Sequence, residues 1–200
     1  MPPALELTRL SQRQAFWHSY DPNSKSELFS TAIADAAGRL LAVDPIPLAP
    51  DAKQALAQLG TLSAIAVTNA NHWRAAAQFS AEFQVPVFAA TGMSDPAEPI
   101  DRLPVLFDGL TAISIDGAAP GEIALHFSND DGIVIVGDAL IHFDPYGLAL
   151  LPKKYCSDQN MMRESLRQLL AFRCGRLFFA HGLPILNQTM PRLEALLSHE

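Results

Sequence analysis

Short apolar runs that each stop at one polar residue dominate the pattern of this chain. Residues 133–136 are Ile-Val-Ile-Val and lead through a glycine to Asp138, and residues 177–180 are Leu-Phe-Phe-Ala and lead to His181. Short runs of β-branched and aromatic residues are typical of strands buried on both faces. The pattern therefore predicts two buried strands that each present one metal-competent side chain at a sheet edge.

The first half of the chain predicts an alternation of strands and helices. Residues 27–34 and 39–43 predict a β-hairpin that ends at Asp44, because the proline that follows cannot donate to a sheet ladder. Apolar residues at helical spacing predict helices over 51–59 and 72–83. Short apolar runs predict strands at 64–67 and 85–89, and the Pro-rich residues 95–104 predict a surface loop.

The second half predicts three successive strands at 111–115, 123–127 and 133–136, a helix over 158–172 and a strand at 176–179. A last helix is expected to be capped by Thr189, with Pro191 in its first turn. Sheets in the middle with helices outside make a layered α/β fold. The chain is 49% hydrophobic, so we expect one domain over residues 1–200.

Composition narrows the classes of partner. The net charge is −7 and the basic residues are scattered, which argues against nucleic acid. No apolar run reaches the roughly 18 residues of a membrane span, so we expect no membrane partner. The two cysteines form no CxxC pair, which predicts reduced thiols in a cytoplasmic protein. The expected partner is therefore a small-molecule ligand. The sequence does not determine the oligomeric state, and it is compatible with a homo-oligomer.

The order of these motifs resembles the metallo-β-lactamase superfamily over nearly the whole chain. The Gly-Asp-Ala-Leu segment at 137–140 matches the family motif whose Asp bridges two metals. The Ala-His-Gly segment at 180–182 matches the last motif, whose His binds the second metal. The resemblance implies a four-layer αβ/βα sandwich and a metal-dependent hydrolase that acts on a small molecule.

The departures from the family concern the metal ligands. The family loop is Thr-His-x-His-x-Asp-His, whereas residues 68–74 are Thr-Asn-Ala-Asn-His-Trp-Arg. In direct register Asn69, Asn71 and Arg74 occupy ligand positions, and a Trp replaces the family's Asp. If the loop is two residues shorter, Asn71 and His72 replace the Asp-His pair instead. Ala118 stands where the family has a further ligand His, so we expect the first-metal position to be empty, filled by water, or filled by Arg74.

His72 is the deciding residue. If its ring turns inward, His72, Asp138 and His181 form a catalytic two-His, one-carboxylate set for a single Zn²⁺, Fe²⁺ or Mn²⁺ ion. A bound metal would lower the pKa of water to about 7 for attack on a carbonyl or phosphoryl centre. If the ring instead points outward from a first helical turn, two ligands are too few and the protein binds no metal.

Four further residues are candidates for the pocket or its surroundings. Asp44 ends its strand beside the expected pocket and could position a histidine ring. Asp116 and His142 lie in loops near the same edge, and Arg74 could bind an anion or form a surface ion pair. Two functions stay open: a hydrolase with at most one metal, and a metal-free relative that acts as a binding or interaction protein.

Overall fold

The first half of the chain folds into a mixed sheet whose strands lie in chain order. The computed structural model describes residues 1–93 and 97–198. Strands β1 to β4 pair antiparallel, and β4 to β7 pair parallel. The elements are β1 (Thr8–Arg9), β2 (Gln14–Asp21), β3 (Ser26–Ala34), β4 (Arg39–Val43), α1 (Pro50–Ala57), β5 (Thr61–Ala66), α2 (Ala76–Phe83), β6 (Val87–Ala89), β7 (Glu98–Pro99) and α3 (Leu103–Leu106).

The second half forms a smaller sheet and a separate hairpin. Its elements are β8 (Leu110–Ser114), β9 (Ile123–Phe127), β10 (Ile133–Val136), β11 (Leu140–Phe143), β12 (Gly147–Leu150), α4 (Gln159–Leu166), β13 (Arg176–Phe179) and α5 (Thr189–Ser198). The sheet has the order β13-β10-β9-β8, and β11 pairs with β12. Only the β10–β13 pair in this sheet is parallel among the described residues.

Three hydrophobic clusters define four layers. One cluster joins the first sheet to α1 and α2, through residues such as Leu56 and Phe79. A second joins the smaller sheet to α4 and α5, through residues such as Met162. The third fills the space between the two sheets, where Leu41 and Ile135 belong to one cluster. This confirms the predicted αβ/βα sandwich, because each sheet buries one face on helices and the other on its partner sheet.

The two strands that precede Asp138 and His181 are as buried as their composition predicts. Ile133, Ile135, Phe178 and Phe179 are 1%, 2%, 1% and 2% exposed. Because β10 lies between β9 and β13, and β13 is covered on both faces, neither strand carries the polar alternation of a half-exposed sheet.

The helix predicted to begin at residue 72 begins instead at Ala76. The His72 amide donates to the carbonyl of Asn69 in a tight turn. Arg74 then has a φ of 37°, a left-handed conformation that a helix does not accommodate. The prediction was therefore wrong for residues 72–75, and His72 lies in a loop.

Other boundaries also differ from the predictions. The helix predicted over 158–172 is α4 followed by a tighter 3₁₀ turn at Arg167–Ala171. Thr189 does not cap the last helix; it begins that helix and donates through Oγ1 to the carbonyl of Gly175. Within the predicted loop at 95–104, residues 95 and 96 lie outside the described residues, while β7, a 3₁₀ turn at Ile100–Arg102 and the start of α3 occupy most of the remainder.

Besides β7, four described strands have no counterpart in the predictions. Four of the five buried residues of β2 are consecutive at its start, so its sequence does not show the alternation of a half-buried strand. Strand β1 has two residues, and β11 and β12 are short and mostly half-buried. No helix in the described part of the chain is both long and apolar enough to cross a membrane.

Candidate metal centre

The candidate site forms where two parallel strands and one loop end at the same edge. Val136 of β10 lies opposite Phe179 of β13, so Asp138 and His181 each follow the end of a neighbouring strand by two residues. The loop after β5 brings His72 to the same edge. Parallel pairing thus places the carboxyl ends of both strands side by side and makes their side chains converge.

Three potential ligand atoms converge on one point. The Nε2 atom of His72 lies 3.1 Å from Asp138 Oδ1, and Nε2 of His181 lies 3.2 Å from the same oxygen. One ligand atom from each of the three residues lies within 4.8 Å of the others. Asp138 and His181, which the apolar strand pattern singled out, thus lie close enough to share a metal ion.

The other ring nitrogen of His72 is held from outside the site. Its Nδ1 lies 3.0 Å from Asp44 Oδ2 and 2.9 Å from Thr68 Oγ1. Asp44 is itself fixed by the Thr68 amide at 2.8 Å and the Thr68 hydroxyl at 2.5 Å. Because a carboxylate only accepts hydrogen bonds, Nδ1 carries a proton and Nε2 is directed at Asp138. Asp44 thus fixes the orientation of the His72 ring.

His181 is oriented in a comparable way. Its Nδ1 lies 3.3 Å from the carbonyl oxygen of Glu27 and 3.2 Å from Ser26 Oγ. A carbonyl oxygen is only an acceptor, so Nδ1 carries the proton here too. Imidazoles that bind metals in proteins are usually held by such a donor bond from the other ring nitrogen.

This donor set fits a metal ion. Nε2 of His72 is buried and has no well-aligned hydrogen-bond partner among the described residues, despite its short distance to Asp138. A cation between two ring nitrogens and a carboxylate oxygen that face one another would be favourably placed to bind all three. Two histidines and one carboxylate are also a recognised ligand set for Zn²⁺ or Fe²⁺, with positions left for water.

The ionisation of the site follows from burial and close charges. Burial and the Arg74 charge oppose protonation of His72, but the carboxylates of Asp44 and Asp138 outweigh them and raise its pKa to about 9. Burial lowers the pKa of His181. Burial opposes ionisation of Asp138, yet the neighbouring His181 and His72 hold its pKa well below its usual range. In the metal-free protein a proton on His72 therefore balances the Asp138 carboxylate.

Amide groups occupy the far side of Asp138. Asn69 Nδ2 donates to Glu122 Oε2 at 2.7 Å and to Asp138 Oδ2 at 3.1 Å. Asn71 Nδ2 lies 3.4 Å from the same Asp138 oxygen. The second carboxylate oxygen of Asp138 is thus bound to side-chain amides, while its first oxygen faces the two histidines.

Glu122 was missed by the sequence analysis. Its carboxyl group is buried, with Oε1 accepting the Ala139 amide at 3.0 Å and Oε2 accepting from Asn69. Burial, reinforced by the charge of Asp138, raises its pKa to about 8. The available signal was a glutamate placed directly before the apolar strand β9, a position where a carboxyl group is seldom without a partner.

Arg74 lies beside the site, but its guanidinium group is hydrogen-bonded to backbone carbonyl oxygens. Its Nη1 donates to the carbonyl oxygens of Phe29 and Asp44 at 2.6 and 3.1 Å, and its Nη2 donates to that of Ala180 at 3.3 Å. The direct register of residues 68–74, which puts Arg74 at a ligand position, is not the one observed. His72 faces Asp138 instead, as the shorter register requires.

Three other candidate residues are not brought to the converging ligands. Ala118 is buried in the hydrophobic cluster under α4. Asp116 is exposed, with its amide bonded to Ser165 Oγ. The ring of His142 is held at Nδ1 by the carbonyl of Leu183, at 2.7 Å. None of these three residues is among the described residues that line the cleft next to the candidate ligands, which is described below.

A cleft opens directly onto the converging ligands. It has a volume of about 660 Å³, which is within the range of small-molecule sites. His72, Asp138 and His181 form one end, together with Asn71 and Arg74. Much of the remaining wall is apolar and comes from the β11–β12 hairpin and the segment after it.

Comparison with known proteins agrees with this architecture. The family model described as Metallo-beta-lactamase superfamily matches residues 10–198. A search of curated proteins gave no match. A metallo-beta-lactamase from Pontibacter korlensis is similar in structure, with a TM-score of 0.66 and 11% identity over 98% of this chain and 100% of that one.

Two further solved structures show the same fold. A metallo-beta-lactamase family protein from Thermus thermophilus has a TM-score of 0.63 and 18% identity, covering 96% of this chain and 80% of that one. The chemotaxis sensor ODP, described as a peroxy diiron species, has a TM-score of 0.66 and 13% identity, covering 97% and 94%. At these identities the likeness establishes the fold and leaves the chemistry to the site itself.

Proposed function

Because the chain belongs to the metallo-beta-lactamase superfamily, we propose that it is a metal-dependent hydrolase with a single-metal site. His72, Asp138 and His181 would hold one Zn²⁺, Fe²⁺ or Mn²⁺ ion. When bound, such an ion supplies Lewis acidity and lowers the pKa of a water molecule to about 7. The substrate would be a small molecule that enters through the adjacent cleft.

The observation that carries the proposal is the convergence of two ring nitrogens on one carboxylate oxygen. The two contacts to Asp138 Oδ1 measure 3.1 and 3.2 Å. Both rings are fixed in that direction by proton acceptors on their far side, Asp44 for His72 and the Glu27 carbonyl for His181. This orientation directs both Nε2 atoms at one point, where a bound ion would replace the proton of His72.

The amide groups around Asp138 support one metal rather than two. Asn69 bridges Glu122 and Asp138 Oδ2, which leaves that oxygen engaged by uncharged donors. A side-chain amide is a weak ligand for transition metals, and the methyl group of Ala118 is none. The residues that would hold a first metal are therefore replaced by a hydrogen-bonded cluster.

Metal stoichiometry tests the proposal. Protein purified without chelator, or loaded with Zn²⁺, Mn²⁺ or Fe²⁺, should contain one equivalent by elemental analysis. His72→Ala should lose the ion, because two ligands hold a metal poorly. His142→Ala is a matched control on a histidine outside the converging ligands, and it should keep one equivalent. Less than roughly a tenth of an equivalent after loading, or two equivalents in the unmodified chain, contradicts the proposal.

A metal-free binding protein is the second candidate function. It is favoured by the hydrogen bonds that already satisfy Asp138 Oδ2 and by the pKa of about 9 at His72, which supplies a counter-charge without any metal. Such a protein would use the same cleft to bind its ligand. It would show no metal uptake and no hydrolysis, and its ligand affinity would be unchanged by chelator.

A further inference from the structure

The cleft beside the candidate metal centre is built for an uncharged molecule with an apolar arm. We infer that its substrate is an uncharged acyl compound with an apolar acyl chain, a substrate class that rests on the proposed hydrolase function. The inference comes from the composition of the cleft wall, the charges that line it and its volume.

One part of the cleft wall is apolar. Leu28 comes from β3, Ile141 and Phe143 from β11, and Leu151 and Pro152 from the segment after β12. The ring of Phe143 lies with its centroid 6.3 Å from that of His181. An acyl chain on this wall would lie next to the reacting centre, and each methylene it buries adds about 0.8 kcal/mol of binding.

The cleft offers no unengaged cation to an anion. Asp21 and Asp138 both contribute carboxylates. Among the described lining residues the guanidinium and ammonium groups are the α-ammonium of Met1, which interacts with the Asp21 carboxylate, and the guanidinium of Arg74, which already donates to three backbone carbonyls. Lys154 lies outside the lining, with its ammonium 4.5 Å from the centroid of the Tyr155 ring. Sites for phosphate or carboxylate groups normally offer free Arg or Lys donors.

The volume sets the size of the substrate. About 660 Å³ exceeds what an acetyl group needs and suits a medium-length chain together with a leaving alcohol. When the compound is an ester, the oxygen of water bonds to the carbonyl carbon and the bond from that carbon to the ester oxygen breaks. One proton of the water passes to the leaving alcohol, and the other is released when the product acid ionises.

A pair of esters that differ in one charged group tests the inference. 4-Nitrophenyl hexanoate and mono-4-nitrophenyl adipate share the same leaving group and a six-carbon acyl chain, but the adipate ends in a carboxylate. With metal-loaded protein, kcat/KM for the hexanoate should exceed that for the adipate by at least about tenfold, and that for the acetate by a similar factor. Bis(4-nitrophenyl) phosphate should be a poor substrate.

Two variants on the β11–β12 hairpin test whether the apolar wall of the cleft determines the preference for a long acyl chain. Phe143→Ala should lower kcat/KM for the hexanoate about tenfold while changing that for the acetate much less. Tyr146 lies on the same hairpin, but it is 84% exposed and outside the cleft lining. Tyr146→Ala should therefore leave kcat/KM unchanged for both the hexanoate and the acetate. If Phe143→Ala does not fold, Phe143→Leu should give a smaller loss in the same direction.

A binding measurement separates this inference from the proposed function. Ligand-observed NMR on metal-free protein should detect hexanamide, and should detect adipic monoamide, which adds a carboxylate, at least about tenfold more weakly. If no metal binds but hexanamide still binds selectively, the hydrolase proposal fails, and what stands is the preference of the cleft for an uncharged ligand with an apolar chain. If metal binds but the adipate or the phosphodiester is preferred, the cleft inference is overturned and the hydrolase proposal stands.

Discussion

Glu122 illustrates how one buried carboxyl group organises its surroundings. Its two oxygens accept from the Ala139 amide and from Asn69, and Asn69 in turn donates to Asp138. Asp138 therefore presents Oδ1, and not both oxygens, to the histidines. The orientation of a proposed ligand thus depends on a residue that would never touch the metal.

Glu122 should also make the stability of the protein depend on pH. Burial raises its pKa from the ordinary 4.5 to about 8, so the folded state keeps a proton that the unfolded chain releases. Its stabilising contribution is complete below about pH 4.5 and is lost as pH rises through 8, by at most about 1.4 kcal/mol per pH unit. Glu122→Gln should remove this pH dependence of the unfolding free energy, measured in denaturant melts of protein from which metal has been removed with a chelator.

The difference between the curves of the unmodified chain and Glu122→Gln isolates this group from other titrating residues. Glu194→Gln, on the exposed face of α5, is the control and should leave the curve unchanged. Parallel curves for the unmodified chain and Glu122→Gln between pH 5 and 8 would show that Glu122 is ionised in the folded state.

For single residues, the sequence predicted the location of those site residues that follow a regular strand. Asp138 and His181 come directly after apolar strands, so the strand pattern alone set their place at one edge. The sequence indicated Asp44 as a residue that could position a histidine ring, but it left the orientation of His72 open, because that orientation also depends on the left-handed backbone at Arg74 and on the contact with Thr68. These partners follow no periodic pattern in the sequence.

Among the elements, α4 begins with a well-formed side-chain cap. Asp158 Oδ1 accepts from the amides of Asn160 and Met161 at 2.9 and 3.1 Å. Asp158→Ala should cost about 1 kcal/mol of unfolding free energy, because two amides of the first turn lose their acceptor. Asp158→Asn keeps an acceptor and should cost much less in the same denaturant melts. Equal losses for both variants would indicate that the charge, and not the cap, stabilises α4.

Strand β10 should be the most sensitive element to core truncation. Ile135 is 2% exposed and lies in the layer between the two sheets. Ile135→Ala should cost about 2–5 kcal/mol, from lost burial and from the cavity left behind. Val105→Ala, at an 86% exposed position of α3, should stay within about 0.5 kcal/mol. Chemical denaturation compares the two, and a loss at Ile135 as small as that at Val105 would show that the strand is not central.

Strands with continuous apolar sequence were predicted well, and those without it were missed. β9 and β10 have the predicted bounds, because glycine-containing turns delimit apolar runs. The hairpin of β11 and β12 is mostly half-buried, so its sequence lacks both continuous hydrophobicity and alternation. The same hairpin supplies Ile141 and Phe143 to the cleft wall, and therefore the cleft could not be anticipated either.

For the whole molecule, a bound metal should appear as added thermal stability. An ion that binds only the folded state stabilises it by about 2.7 kcal/mol at a concentration 100 times its Kd. Zn²⁺ should therefore raise the Tm of the chelated protein, and excess chelator should reverse the rise. Asp138→Asn keeps a side chain of the same shape but removes the anionic ligand, so it should abolish the metal-dependent rise. His18→Ala, at an exposed histidine on β2, should retain it.

The candidate ligands come from both halves of the sandwich. His72 belongs to the first half, whereas Asp138 and His181 follow strands of the smaller sheet. Arg74 and the amide of Phe29 reach across to the carbonyl of Ala180, so the backbone already joins the halves there. An ion at this point would act as a cross-link whose strength comes from the high effective concentration that one continuous chain gives to its two parts. Cutting the chain between the halves would therefore make metal affinity depend on the concentration of the fragments.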